Sequence, residues 1–169
     1  MTPTLESERL VLKPYEIEDA DAFVELFADE EVARWMGDGP QSRDVNRAMF
    51  GRLFSDVYAH GRFDVWAVWE GESLVGHAEV KDTTDIEGHE IIYALSRDVW
   101  GRGLGTELAR ALVSYCFDVL DLDEVHATVD ARNHGSLAIL KKVGFEAVRT
   151  VTEDYESTTV VLTCRSAPQ

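Results

Sequence analysis

The stretch Trp100-Gly101-Arg102-Gly103-Leu104-Gly105-Thr106 sets three glycines at alternate positions, a spacing suited to anion binding. Glycine carries no Cβ, so backbone N–H groups in such a turn can approach a ligand closely. From Gly103 to about Leu120, the residues Leu104, Leu108, Ala111, Leu112, Tyr115, Cys116 and Val119 recur at three-and-four spacing, which predicts a helix. Orphan N–H groups at a helix N-terminus, together with the positive end of its dipole, form a cradle for phosphate. Three arginines between Arg97 and Arg110 outweigh Asp98 and Glu107, a local +1. A plain glycine-rich turn is the alternative.

Two familiar phosphate motifs do not fit. A P-loop needs Gly-Lys followed by Ser or Thr, which does not occur. A dinucleotide turn needs GxGxxG after the first buried strand, whereas the spacing here is GxGxG, two-thirds along the chain and after a β-meander. Asp121 and Asp123 stand at the distance of a ribose-binding acid, but the topology before them is wrong.

Other reactive side chains give weaker patterns. His60, His77, His89, His126 and His134 show no HxH or HExxH spacing, so no metal site is expected. His77 and Glu79 alternate on one predicted strand and could share a cleft-facing side. Cys116 and Cys164, 48 residues apart, are read as reduced thiols, Cys116 within an apolar helix stripe. Trp35, Trp66, Trp69 and Trp100 lack interleaved basic residues, which argues against base stacking.

The elements that must position these residues follow from periodicity. Ser7 to Tyr15 reads as a strand, Asp19 to Asp29 as a helix, and Ser42 to Ala59 as a second helix with Val45, Met49, Leu53, Phe54 and Val57 inside. Arg62 to Glu70 and Ser73 to Lys81 flank the turn Gly71-Glu72 as a hairpin. Glu90 to Leu95 and Val125 to Val129 are further strands, Ser136 to Val143 a short helix, and 145–150 and 157–163 closing strands. Together these describe a mixed α/β layer fold in a single domain over residues 1–169. With 16 basic and 32 acidic residues the formal charge is −16, which disfavours nucleic acid and anionic membrane as partners. No apolar run is long enough for a membrane helix and the first twelve residues carry charge, so a soluble, cytoplasmic protein is expected. A homodimer is compatible with the sequence, but nothing demands one.

Three blocks in order resemble the GNAT (general N-acetyltransferase) superfamily. Its pyrophosphate loop, Arg/Gln-x-x-Gly-x-Gly/Ala, aligns with Trp100 to Gly105, and Trp in the first place resembles the ribosomal-protein alanine N-acetyltransferase branch. The run Asn133-His134-Gly135-Ser136 through Leu140, Lys142, Gly144 and Phe145 is similar to that branch's second block. Ser7 to Leu12 resembles its first strand.

The resemblance implies a central, mostly antiparallel sheet splayed between two parallel strands and flanked by about four helices. It implies acetyl-CoA as donor and no metal. The amides of Arg102, Gly103, Leu104, Gly105 and Thr106 would hold the pyrophosphate. Backbone groups of Tyr93, Ala94 and Leu95 would pair with the pantetheine arm, and Asn133 would bond it, unless Asn133 serves only as a helix cap. Glu90 would be the general base, working through water, the alternative being a solvated strand carboxylate. Leu140 stands where many members carry the tyrosine acid, so Ser136 is the candidate acid, with Tyr155 behind it. The acceptor would be a protein N-terminal α-amine or a small cationic amine, drawn by the eight acids of residues 16–31 if these do more than solubilise the chain. A catalytically weak acyl-CoA-binding sensor of the same fold is the second reading.

Overall fold

The computed structural model describes residues 1–83, 87–152 and 157–167. Eight strands form one sheet: β1 (Leu5–Glu6), β2 (Val11–Lys13), β3 (Asp64–Glu70), β4 (Ser73–Asp82), β5 (His89–Leu95), β6 (Glu124–Asp130), β7 (Glu146–Thr152) and β8 (Thr158–Arg165). Their order is β1-β2-β3-β4-β5-β6-β8-β7, antiparallel throughout except between β5 and β6. Five α-helices are described, α1 (Ala20–Ala28), α2 (Glu30–Ala33), α3 (Arg43–Arg52), α4 (Leu104–Asp118) and α5 (His134–Val143). The expectation of about four is corrected by α2, one short turn that follows α1 through Asp29, whose carboxylate accepts from the Glu31 N–H at 3.0 Å.

The period-two alternation of β3 divides the molecule into two cores. Trp66 and Val68 point to the side where Leu104, Leu108 and Leu112 of α4 pack, all nearly or fully excluded from solvent. Val65 and Ala67 point to the other side, against Phe23 of α1 and Phe50 of α3. Burying each such leucine contributes on the order of 2–3 kcal/mol.

Two sequence expectations need correcting. Ser7 to Tyr15 is not one strand: the Ser7 N–H donates to the Leu10 carbonyl at 2.9 Å, folding 7–10 into a turn between β1 and β2. The inner face of α3 is Asn46 and Phe50, while Val45 and Met49 remain 42% exposed. The expected stripe stepped by four residues, which drifts about 40° per step around a helix of 3.6 residues per turn. Asn46, being polar, did not look like an inward residue. Beyond α3 a π-helical turn, Leu53–Tyr58, changes the phase and buries Val57.

Candidate functional site

Parallel strands β5 and β6 touch at one register pair among the described residues, Glu90 with His126. Past that pair the two strands run on to Leu95 and Asp130 with no further ladder pairs to each other among the described residues, so the ladder between them opens into a gap.

At the wide end of the gap lies the glycine loop. Gly103 is the N-cap of α4 at φ +80°, a left-handed conformation that costs a residue with Cβ free energy. Gly105 lies so near α5 that a Cβ there would come within 2.7 Å of Ile139 Cδ1. The first bond of α4 runs from the Glu107 N–H to the Gly103 carbonyl at 3.1 Å. The amides of Leu104, Gly105 and Thr106 therefore precede the helical ladder, with no carbonyl of α4 to receive them.

The arginines around this loop are engaged in holding it. Arg102 forms a bidentate pair with Glu70 at 2.9 and 2.7 Å, and its bond holds the Glu70 carboxyl below its usual range. Arg9 donates to the Arg102 carbonyl at 2.9 Å and to Glu107 at 2.8 Å. Ser7 also bonds Glu107, so the turn between β1 and β2 braces the first turn of α4. Arg97 is paired with Asp29, and Trp100 donates its indole N–H to the Leu95 carbonyl at 2.8 Å. Two of the three arginines behind the local +1, Arg97 and Arg102, are thus paired with protein carboxylates, and the backbone amides and the helix dipole remain as anion-binding elements. These residues fit a pyrophosphate.

On the other wall of the gap, Asn133 caps α5: its Oδ1 accepts from the Ser136 N–H at 3.2 Å. With Oδ1 held by the cap, the NH2 group remains as a donor to a ligand. The helix therefore starts at His134, two residues before the expected Ser136. Ser136 Oγ and Tyr93 Oη lie 3.5 Å apart, both half-buried, across the gap between α5 and β5. Burial pushes the Tyr93 hydroxyl up, against a smaller opposing effect of the Ser136 bond. Sequence reasoning considered only the Tyr93 backbone and missed this hydroxyl. Leu140 is fully buried in the core, so a hydrophobic residue at that place is a packing requirement. Tyr155 lies outside the described residues.

Strand register gathers the remaining candidates on the sheet side that faces α1 to α3. Glu79 pairs with Ile92, Lys81 with Glu90, His77 with Ala94, and Glu90 with His126, so these side chains share one side. Glu90 is 7% exposed and Thr128 Oγ1 donates to it at 3.4 Å; it is a buried carboxylate rather than a solvated one. His77 bonds Tyr15 and Glu79, a connection that spans 62 residues and that sequence spacing could not show. Ala94 is covered by Leu26 and Val32 from α1 and α2.

The acidic run 16–31 is less negative in place than in sequence. Asp21, Glu25, Asp29 and Glu31 are paired with Arg47, Arg43, Arg97 and Arg34 respectively, four of the eight acids. Among the described residues no group of three His, Cys, Asp or Glu could hold a metal ion, and no helix is long and apolar enough to cross a membrane.

The family model of the acetyltransferase (GNAT) domain matches residues 9–146. The chain is 32% identical over 158 residues to an uncharacterized N-acetyltransferase, p20, of Bacillus licheniformis, across 90% of this chain and 87% of that one. It is 28% identical over 135 residues to the spermidine N(1)-acetyltransferase of Escherichia coli (strain K12), across 79% and 71% of the two chains. Among solved structures, Mycobacterium smegmatis RimJ in complex with CoA-disulfide superposes with a TM-score of 0.83 at 19% identity, over 97% of this chain and 88% of that one. The ribosomal-protein-S5-alanine acetyltransferase of Vibrio fischeri superposes at 0.79 and 15% identity, over 96% of each. At these identities the structural likeness is one of fold.

Proposed function

Because the chain belongs to the acetyltransferase (GNAT) family, we propose that it moves an acetyl group from acetyl-CoA directly to a primary amine, within a single domain over residues 1–169. The observation that carries this reading is the glycine loop opening α4 at the wide end of the β5–β6 gap. The amides of Arg102, Gly103, Leu104, Gly105 and Thr106 would hold the pyrophosphate. Tyr93, Ala94, Leu95 and the NH2 of Asn133 would line the pantetheine arm. The donor, when bound, supplies an activated acyl thioester.

This chain's own groups must then provide a neutral amine and return a proton. Deprotonating a lysine-like amine at pH 7 costs roughly 4–5 kcal/mol, a peptide α-amine about 1–1.5 kcal/mol. Glu90 is the base in this reading, since it is buried beside the meeting point of β5 and β6 and on the side of α1 to α3. An N–H of β5 at the gap would polarise the thioester carbonyl, the kind of contribution that dominates acyl transfer. Ser136, joined by the Tyr93 hydroxyl, would return a proton to the thiolate.

The acceptor is a primary amine, either a peptide α-amine or a small cationic amine. The name of the Escherichia coli relative, a spermidine N(1)-acetyltransferase, supports the second. Release of CoA thiol from acetyl-CoA, measured against peptide N-termini and small amines, tests the proposal. We expect acetyl-CoA to raise the melting temperature and at least one amine class to release thiol. Stabilisation without thiol release across the whole panel would favour the acyl-CoA-binding sensor instead.

A further inference from the structure

A second carboxylate on the amine side of the sheet is held by a hydrogen-bonded array outside the groups already assigned. Tyr15 Oη lies 2.7 Å from His77 Nδ1, and His77 Nε2 lies 3.0 Å from Glu79 Oε2. Tyr15 and His77 are 3% and 4% exposed. The His77 ring sits between Phe23 and Phe27, with centroids at 5.8 and 5.4 Å, and Tyr15 meets Phe23 and Phe50 edge-on.

A carboxylate oxygen only accepts, so the imidazole donates its Nε2–H to Glu79 Oε2. Burial pushes the Tyr15 hydroxyl well up, and its Oη shares a hydrogen bond with Nδ1. Both ring nitrogens are used, and the array ends in one fixed donor to one carboxylate oxygen. Glu79 is the half-buried end of the array, with its side chain 16% exposed, and the imidazole bond engages Oε2 and not Oε1. Its register partner is Ile92 of β5, one residue pair from Glu90 on the same side. A histidine and a tyrosine buried among phenylalanines to orient one carboxylate exceed what packing needs.

We propose that Glu79, oriented by His77 and Tyr15, is the carboxylate that receives the ammonium group of the acceptor. The inference rests on the acetyltransferase reading and adds a site to it. Glu79 anchors R–NH3+ through an N–H···Oε1 hydrogen bond, and Glu90, one strand over, removes the proton. Tyr15 and His77 are positioning residues. The ligand class is a primary amine cation, since a quaternary nitrogen has no N–H to donate and a neutral amide brings no charge to meet the carboxylate.

The other charged or titratable groups around the array are Lys81 and Glu90 on the sheet, Asp19 before α1 and Tyr58 on the π turn. Burial pushes the Glu79 carboxyl up, but the His77 bond and the positive charge of Lys81 bring it below the usual carboxylate range. Without the His77 bond, protonation of Glu79, and with it loss of the amine, moves to higher pH.

The test is binding of 1,4-diaminobutane and alaninamide to CoA-saturated protein by calorimetry between pH 4 and 9, with thiol release from acetyl-CoA measured in parallel. Glu79→Gln is expected to weaken binding of at least one amine tenfold or more while acetyl-CoA affinity is unchanged. Tyr15→Phe and His77→Gln are expected to move the acid edge of amine binding upward. Wild-type affinity in Glu79→Gln overturns the proposal, as does failure of the wild type to bind either amine. If Glu79→Gln does not fold, Tyr15→Phe decides, and an unmoved acid edge overturns the proposal. Binding that depends on Glu79 without thiol release would leave this site standing and remove the proposed transfer reaction.

Discussion

The two sides of the β5–β6 gap are built on different principles. The loop side offers main-chain N–H groups, with Arg102, Arg97 and Arg9 tied to Glu70, Asp29 and Glu107. The amine side offers side chains, Glu79 and Glu90, delivered by strands whose register alone makes them neighbours. A site of backbone atoms depends on conformation at a few glycines, whereas a site of side chains depends on identity at positions far apart in the chain. Substitutions should therefore separate the two, one set changing donor affinity and the other changing turnover.

The largest expected effect is on the amine side. Glu90→Gln should lower kcat by about 10²–10³, in the range of general-base loss, with acetyl-CoA affinity unchanged. A parallel fall in acetyl-CoA affinity would show that the two sides are not separable. Gly103→Ala should do the opposite. A Cβ at φ +80° costs about 1–2 kcal/mol of strain, so acetyl-CoA affinity should drop roughly tenfold while the amine KM stays within twofold. The smallest effect sharpens the comparison by charge. Asp21→Asn with Glu25→Gln removes two acids that already have arginine partners, so kcat/KM for a diamine should change less than twofold at low salt. A large, salt-sensitive loss would restore the acidic helix as a steering surface.

This division also explains what could be read in advance. Glycine spacing and the apolar stripe of α4 are local signals, and both lead directly to the loop and the helix that carries it. The second block reads almost as well, because Asn133 caps α5 while Gly144 closes it in a left-handed conformation. The β2–β3–β4 side was legible only as strands. That Tyr15 meets His77 depends on β2 pairing with β3 and β3 with β4, which no local pattern encodes. Asn46 inside α3 and the short α2 were hidden for simpler reasons, a polar residue facing inward and a helix of four residues. The regional charge misled in the same way: the acids of 16–31 were countable, but the arginines that meet them come from two other parts of the chain, α3 and Arg97, and from just past the run's end.

The single register pair between Glu90 and His126 has a mechanical meaning. Five strands, β1 to β5, form one plate, and β6, β8 and β7 form another, fastened edge to edge at one point. Helix α4 packs on both and serves as the spanning beam. Bending the plates apart meets the resistance of one ladder pair, the Thr128–Glu90 bond and the helix rather than of a full ladder. A ligand laid along the open edges, bonding to both, would act as a splice across the weakest line of the frame.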